Sequence, residues 1–131
     1  MIFREEDLLN KIIAAPNGSE LKIFVYIALK QPAEGILGFE TTKEQLAIDL
    51  NLKIRTVFTA LHWLKNNLLI QELKLFDTVD FMVNPRFVMN NSDYQDRLNE
   101  WNRRCRLDIA REIRIKKEKR RRELKIAKKN A

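Results

Sequence analysis

The apolar residues between positions 54 and 83 change from helical to strand spacing, and this change constrains the fold more than any other feature. One stripe of an α-helix is formed by apolar residues four, three and four positions apart, at Val57, Leu61, Leu64 and Leu68. From Leu69 onward the period is two, as in a strand with one buried face. The pattern predicts a helix followed by a hairpin that turns around Asp77 and Thr78.

A second, shorter helix is predicted just before this one, from Lys43 to Leu50. Thr42 and Gln45 have the spacing of a capping box, in which side chain and backbone satisfy each other at a helix start. Ala47 is small enough to lie where two helices cross. Residues 42 to 70 are therefore predicted to be a helix-turn-helix that leads into a β-hairpin.

Continued into the hairpin, residues 20 to 84 resemble the winged-helix superfamily. The resemblance implies a mainly α fold with a small β-hairpin, a winged helix-turn-helix followed by a long basic C-terminal helix. Residues 1–91 would form the winged-helix domain and residues 92–131 the long helix. The implied function is binding of double-stranded DNA without enzymatic activity, although some winged helices serve only as protein-interaction modules.

The remaining elements are predicted from turn and capping residues. Helices are expected from Glu5 to Ala14 and, capped by Ser19, from Glu20 to Lys30, and residues 36–39 could form a short strand. Asn84 is expected to cap a short helical turn that runs from Pro85 to Met89. Ser92 could cap a last helix. This helix could run to the end of the sequence, since no Gly or Pro lies between Ser92 and residue 129.

The outer face of the helix after residue 53 is the candidate for base recognition. If its apolar stripe faces inward, the side chains that face outward or flank that face include Arg55, Thr56, Thr59, His62 and Asn66. Arginine can bond guanine and asparagine can bond adenine in the major groove, so Arg55 is the first candidate. No second histidine or paired thiolate accompanies His62, so neither a metal nor a cofactor is expected.

Backbone phosphates would be held by other residues of the same region. The candidates are hydroxyl and ammonium side chains, most of them near helix N-termini: Thr41, Thr42, Lys43, Lys53 and Lys65. Lys53 occupies the position at which these motifs usually have a serine cap. Asp77 and Asp80 are expected to keep the tip of the hairpin away from phosphates.

The net charge of +7 is unevenly distributed along the chain. Residues 1–102 hold 11 Lys or Arg against 14 Asp or Glu, whereas residues 103–131 hold 14 against 4. A basic tail of this kind could bind phosphates independently of sequence and in a salt-dependent way. It could also bind RNA or an acidic protein, or be a solvated face without a partner. Its main residues are Arg111, Arg114, Lys116, Lys117, Lys119, Arg120, Arg121 and Arg122.

The first half of the last helix carries an apolar seam, at Leu98, Trp101, Cys105, Ile109 and Ile113. This seam could dock on the chain's own domain or on a second copy, and we favour a homodimer. A dimer would place two recognition helices about 34 Å apart and predicts a palindromic or repeated DNA site.

Several other protein classes are not expected. The single cysteine cannot form an intrachain disulfide, and no signal-peptide pattern is present, which together indicate the cytoplasm. No apolar stretch approaches the ~20 residues that cross a membrane. The sequence has no Walker-type loop, so an ATPase is not expected. It has no tyrosine–histidine cluster, so a nicking enzyme is not expected either.

A narrower resemblance is carried by residues 81–89, Phe-Met-Val-Asn-Pro-Arg-Phe-Val-Met. After a winged-helix pattern and before a charged helix, this segment resembles the strand-Asn-Pro-helix segment of RepL-type plasmid replication proteins. That resemblance implies a replication initiator that binds its plasmid origin and recruits host replication proteins. A dimeric transcriptional regulator and a non-DNA module that uses the basic helix are the alternatives.

Overall fold

The computed structural model describes residues 2–3, 10–11, 13–89 and 93–130, with only the backbone described at 2–3 and 88–89. Most of the helix predicted from Glu5 and the cap predicted at Ser92 lie outside these residues. In chain order the elements are β1 (Ile2–Phe3), α1 (Gly18–Lys30), β2 (Phe39–Thr41), α2 (Lys43–Leu50), α3 (Ile54–Asn66), β3 (Ile70–Lys74), β4 (Val79–Val83), β5 (Val88–Met89) and α4 (Tyr94–Lys129).

Helix α1 begins earlier than its predicted cap. Asn17 is the N-cap in place of the predicted Ser19. The Asn17 backbone N–H donates to Glu20 Oε2 at 3.2 Å, which satisfies a donor at the helix start and gives the buried Glu20 carboxylate a partner. The start of α1 is thus fixed by a polar contact on its buried face.

The core forms where α1, α2, α3 and the sheet meet. Its fully buried apolar side chains include Ile23, Phe24, Ile27, Leu46, Val57, Leu61, Leu64, Leu69 and Phe81. Close packing of these residues from several elements fixes the positions of both helices of the helix-turn-helix.

Helix α2 has the predicted N-cap and ends in a left-handed C-cap. Thr42 Oγ1 accepts a hydrogen bond from Gln45 N at 3.0 Å at the start of α2. Asn51 has a left-handed backbone (φ 54°), and Leu52 N donates to Ala47 O at 2.9 Å. The second bond satisfies the Ala47 carbonyl, one of those that the end of a helix leaves free, so α2 stops here and the chain turns into α3.

Helix α3 ends at Asn66, two residues before Leu68, the last residue of the apolar stripe. Leu68 has a left-handed backbone (φ 57°), and Leu69 N donates to Leu64 O at 3.0 Å. The prediction that Leu68 faces inward is wrong, because this turn leaves its side chain 57% exposed and buries Leu69 in its place. The core position is filled by the residue after the turn.

Strands β2, β4 and β3 form an antiparallel sheet in that order, so the predicted hairpin gains a third strand. Phe81 at the centre of β4 is opposite Phe39 on one side and Glu72 on the other. Asp80 is buried, and both its carboxylate oxygens accept from Gly38 N at 3.1 Å. The expectation that Asp80 repels phosphates at the hairpin tip is therefore wrong, because its carboxylate faces the protein interior.

The chain after Pro85 also differs from its prediction. Asn84 Oδ1 accepts from Arg86 N at 3.0 Å, as a cap would, but the residues that follow form a turn. Val88 and Met89 then form strand β5, which pairs with β1 in an antiparallel ladder. The predicted helical turn from Pro85 to Met89 is replaced by a turn and a strand.

The chain divides into two compact units, Met1–Trp101 and Asn102–Ala131. The first unit includes the start of α4, where Trp101 is buried and its carbonyl accepts from Gln71 Nε2 at 2.9 Å. The second unit is the rest of α4 and the residues after it.

The fold is a mainly α winged helix-turn-helix with a small antiparallel sheet, followed in the chain by a long helix. Among the described residues, no helix has the length and apolar character that crossing a membrane requires.

Candidate nucleic-acid interface

One face of α3 is polar and exposed along its whole length. Arg55, Thr59, His62 and Asn66 are exposed on this face, whereas Val57 and the other apolar positions of the helix are buried on the opposite side. Thr56 is half-buried at the edge of the exposed face. The structure thus brings the five predicted base-contact residues onto one continuous helix surface.

Two hydrogen bonds connect residues along this face. Thr59 Oγ1 donates to the Arg55 carbonyl at 3.0 Å, and Asn66 Nδ2 lies 3.0 Å from His62 Nε2. Which atom donates in the second pair depends on which nitrogen of the His62 ring carries the proton. The hydrogen bond fixes the Asn66 amide group and leaves its carbonyl oxygen available to a donor.

A cleft of about 410 Å³ lies between the start of α1 and the start of α3. Arg55, Thr56 and Thr59 line it on one side and Asn17, Ser19 and Glu20 on the other. Three of the predicted base-contact residues therefore also line this cleft.

The predicted phosphate contacts differ in their exposure. Thr41 is only 8% exposed and lies in β2 opposite Val79, so we exclude it from the candidate site. The hydroxyl of Thr42 is used to cap α2. Lys53 is exposed at the N-cap position of α3 and makes no capping hydrogen bond with its side chain.

Lys43 and Lys65 are joined by a residue that the sequence did not single out. Glu72 Oε2 lies 3.6 Å from Lys43 Nζ and 3.4 Å from Lys65 Nζ. The Lys43 ammonium also lies 5.0 Å from the centre of the Phe58 ring, in a cation–π contact. The only sequence signal was the position of Glu72 in a predicted strand next to the helix that carries Lys65.

The tip of the hairpin is apolar rather than basic. Phe76 is 99% exposed and Leu75 is exposed beside it, with Asp77 following. The Leu75 N–H donates to Thr78 O at 2.9 Å and closes the turn. The turn residues 75–78 therefore include no cation, although Lys74 is exposed at the end of β3 just before them.

The predicted seam is divided between the two units, whereas the basic tail lies wholly in the second. Leu98 and Trp101, which are half-buried and buried, belong to the first unit. In the second unit Cys105 is half-buried, while Ile109 and Ile113 are exposed. The basic side chains are also all exposed along α4: Arg111, Arg114, Lys116, Lys117, Lys119, Arg120, Arg121 and Arg122.

No group of three or more histidine, cysteine, aspartate or glutamate side chains is arranged to hold a metal ion within the described part of the chain. The groups that face outward on α3 are hydrogen-bond donors and acceptors. The described residues thus form a helix-turn-helix whose second helix exposes this polar face and leads into a hairpin.

Comparisons with known proteins add little to this geometry. No protein-family model matches the chain, and no curated protein sequence matches it. Among solved structures, the chain is similar to reduced HlyU from Vibrio cholerae N16961, with 19% sequence identity and a TM-score of 0.42. The similarity covers 73% of this chain and 82% of that one.

Proposed function

We propose that this protein binds double-stranded DNA in a sequence-specific manner, with α3 as its recognition helix. The observation that carries the proposal is the exposed polar face of α3, on which Arg55, Thr59 and Asn66 stand opposite a fully packed apolar face. The packing holds the helix rigidly, and a rigid element positions base-reading side chains better than a loop does.

In this proposal α3 enters the major groove, which is about 12 Å wide and accepts an α-helix. Arg55 lies in the first turn of α3 and bonds guanine O6 and N7 through its planar guanidinium. Asn66, at the end of the same face, is the second candidate for a base contact, since an asparagine amide matches adenine N6 and N7. Lys53, Lys43 and Lys65 contact phosphates and set the register of the helix on the duplex.

The basic residues of 103–131 supply a second, sequence-independent contribution in the proposed complex. This segment carries 14 Lys or Arg against 4 Asp or Glu, and its charged side chains from position 111 onward are exposed. Such a helix gains affinity by releasing counterions from DNA, and that gain falls as salt rises.

A second copy of the chain, bound through Ile109 and Ile113, would make the recognised site palindromic or repeated.

Between two cellular roles, regulation of transcription and initiation of plasmid replication, we propose regulation of transcription as the first to test. The replication role was implied by a strand-Asn-Pro-helix segment, and after Pro85 this chain forms a turn and strand β5 instead of a helix. Binding to a plasmid origin with recruitment of host replication proteins therefore stays a prediction from the resemblance alone. The positions of recovered binding sites, at promoters or at an origin, distinguish the two roles.

Selection from a pool of randomised duplexes tests the proposal. The full chain should enrich one motif and bind it at least about a thousandfold more tightly than random duplex at physiological salt. Equal affinity for enriched and random DNA would show that only the basic residues bind. Binding to single-stranded RNA or an acidic protein, without binding to duplex DNA, would favour the non-DNA alternative.

A further inference from the structure

Glu72 is a buried carboxylate that lies within ion-pair distance of two of the lysines proposed to contact phosphates. It lies on β3, and its side chain is only 4% exposed. Glu72 Oε2 approaches both Lys43 Nζ and Lys65 Nζ, whereas Glu72 Oε1 is buried and accepts no hydrogen bond from any residue that the structure describes. The carboxylate therefore directs its one shared oxygen toward the two lysines.

The two lysines come from opposite ends of the helix-turn-helix. Lys43 is the first residue of α2 and Lys65 lies in the last turn of α3. Because one oxygen of Glu72 lies within 3.6 Å of both ammonium groups, these groups are close enough to contact one phosphate together. The Phe58 ring limits the movement of Lys43 further.

The carboxylate has two opposite effects on DNA binding. It removes one unit of positive charge from this surface, which lowers affinity for phosphates of any duplex. It also holds the ammonium groups in fixed positions, which helps only a complex whose phosphates match those positions. A complex formed at random positions does not gain from that geometry, so the loss of charge weakens it more.

We propose that Glu72 is a specificity-determining residue that suppresses sequence-independent binding by holding and partly neutralising Lys43 and Lys65. The inference rests on the proposed function, since it assumes that the helix-turn-helix surface contacts DNA. Glu72 itself contacts no base. It acts through the two lysines, and its effect is measured as the ratio of specific to random affinity.

The test compares Glu72→Gln with the unaltered full chain on enriched and random duplexes over a range of salt concentrations. The variant should bind random duplex roughly three- to tenfold more tightly, with a salt dependence steeper by up to about 0.9 in the log–log slope. Affinity for the enriched duplex should rise by less than about twofold, because the gain in charge is offset by the loss of fixed geometry.

Two matched variants separate this effect from a general change in charge. Glu34→Gln makes the same change in net charge at an exposed loop position and should leave both affinities unchanged. In a chain that also carries Lys43→Gln and Lys65→Gln, the Glu72 substitution should have no effect. If Glu72→Gln lowers the urea midpoint, the affinity measurements are repeated with Glu72→Met. Methionine has a similar length and leaves no buried polar atom.

The outcomes distinguish the inference from the function on which it rests. If the unaltered chain discriminates but Glu72→Gln changes both affinities equally, or neither, the inference is wrong and the proposed function stands. If the unaltered chain does not discriminate between enriched and random duplexes, the proposed function is wrong and the inference falls with it.

Discussion

Replacing Gly38 with alanine should destabilise the winged-helix unit strongly, because the backbone of β4 leaves no space for a methyl group. A Cβ built on Gly38 would lie 2.5 Å from Asp80 Oδ1 and 2.7 Å from the Phe81 carbonyl carbon, and it would overlap the Phe81 carbonyl oxygen. The Phe81 atoms belong to the backbone and cannot rotate away. The segment before β2 must therefore move away from β4.

The size of the effect follows from what that movement breaks. Gly38 N donates to both oxygens of the buried Asp80 carboxylate, and weakening this contact costs about 1 to 3 kcal/mol. Overpacking against β4 adds about 1 to 3 kcal/mol. The free energy of unfolding should thus fall by about 2 to 6 kcal/mol, which lowers Tm by at least about 8 °C for a unit of this size.

Urea and thermal unfolding of the full chain, followed by circular dichroism, measure this change. Gly18→Ala is the matched control, because nothing lies within 4 Å of a Cβ at that position and Gly18 is the first residue of α1. It should leave the stability unchanged or slightly higher. A Gly38→Ala protein within about 1 kcal/mol of the unaltered chain would refute the close packing of the segment before β2 against β4.

Two further predictions concern the interface. Arg55→Ala should reduce discrimination by about 1 to 3 kcal/mol on the enriched duplex and leave random-duplex affinity nearly unchanged, as measured by fluorescence titration; an equal loss on both would assign Arg55 to a phosphate. Replacing Arg120, Arg121 and Arg122 together with glutamine should weaken binding to all duplexes alike and lower the salt slope by about 0.9 for each phosphate that is no longer neutralised. An unchanged slope would mean that this part of α4 stays in solvent.

The helix-turn-helix was predictable because its signals are local. The spacing from Val57 to Leu64 identified the buried face of α3, and the Thr42–Gln45 pair identified the start of α2. The same spacing placed the outward face on Arg55, Thr59, His62 and Asn66. Once a helix buries one stripe, the opposite stripe is determined by helical geometry alone.

The errors occurred where contacts between distant residues override local pattern. Leu68 continues the helical spacing in sequence, but the left-handed turn at that residue gives the core position to Leu69. Asp80 resembles a solvent-facing turn residue until β2 pairs with β4 and brings Gly38 to its carboxylate. The turn and strand after Pro85 replace the predicted helical turn, and pairing of β5 with β1 is again a contact between distant segments.

The role of Glu72 was hidden for the same reason. Its two partners lie 29 and 7 positions away in the sequence, and only the fold brings them to one oxygen. Sequence patterns identified both lysines as cations near the interface but gave no sign of a shared anion. Charge patterns therefore predict which residues could contact DNA. They predict less well how much each residue contributes to the affinity, because a neighbouring anion changes that contribution.

Methylation interference on the enriched duplex tests whether α3 lies in the major groove. Methylation of guanine N7 adds a group in the major groove, where Arg55 on α3 is proposed to bond that atom. We expect methylation of at least one guanine in the site to block binding of the unaltered chain, and Arg55→Ala to remove this sensitivity. Binding that is insensitive to N7 methylation at every guanine of the site would contradict the placement of α3 in the major groove.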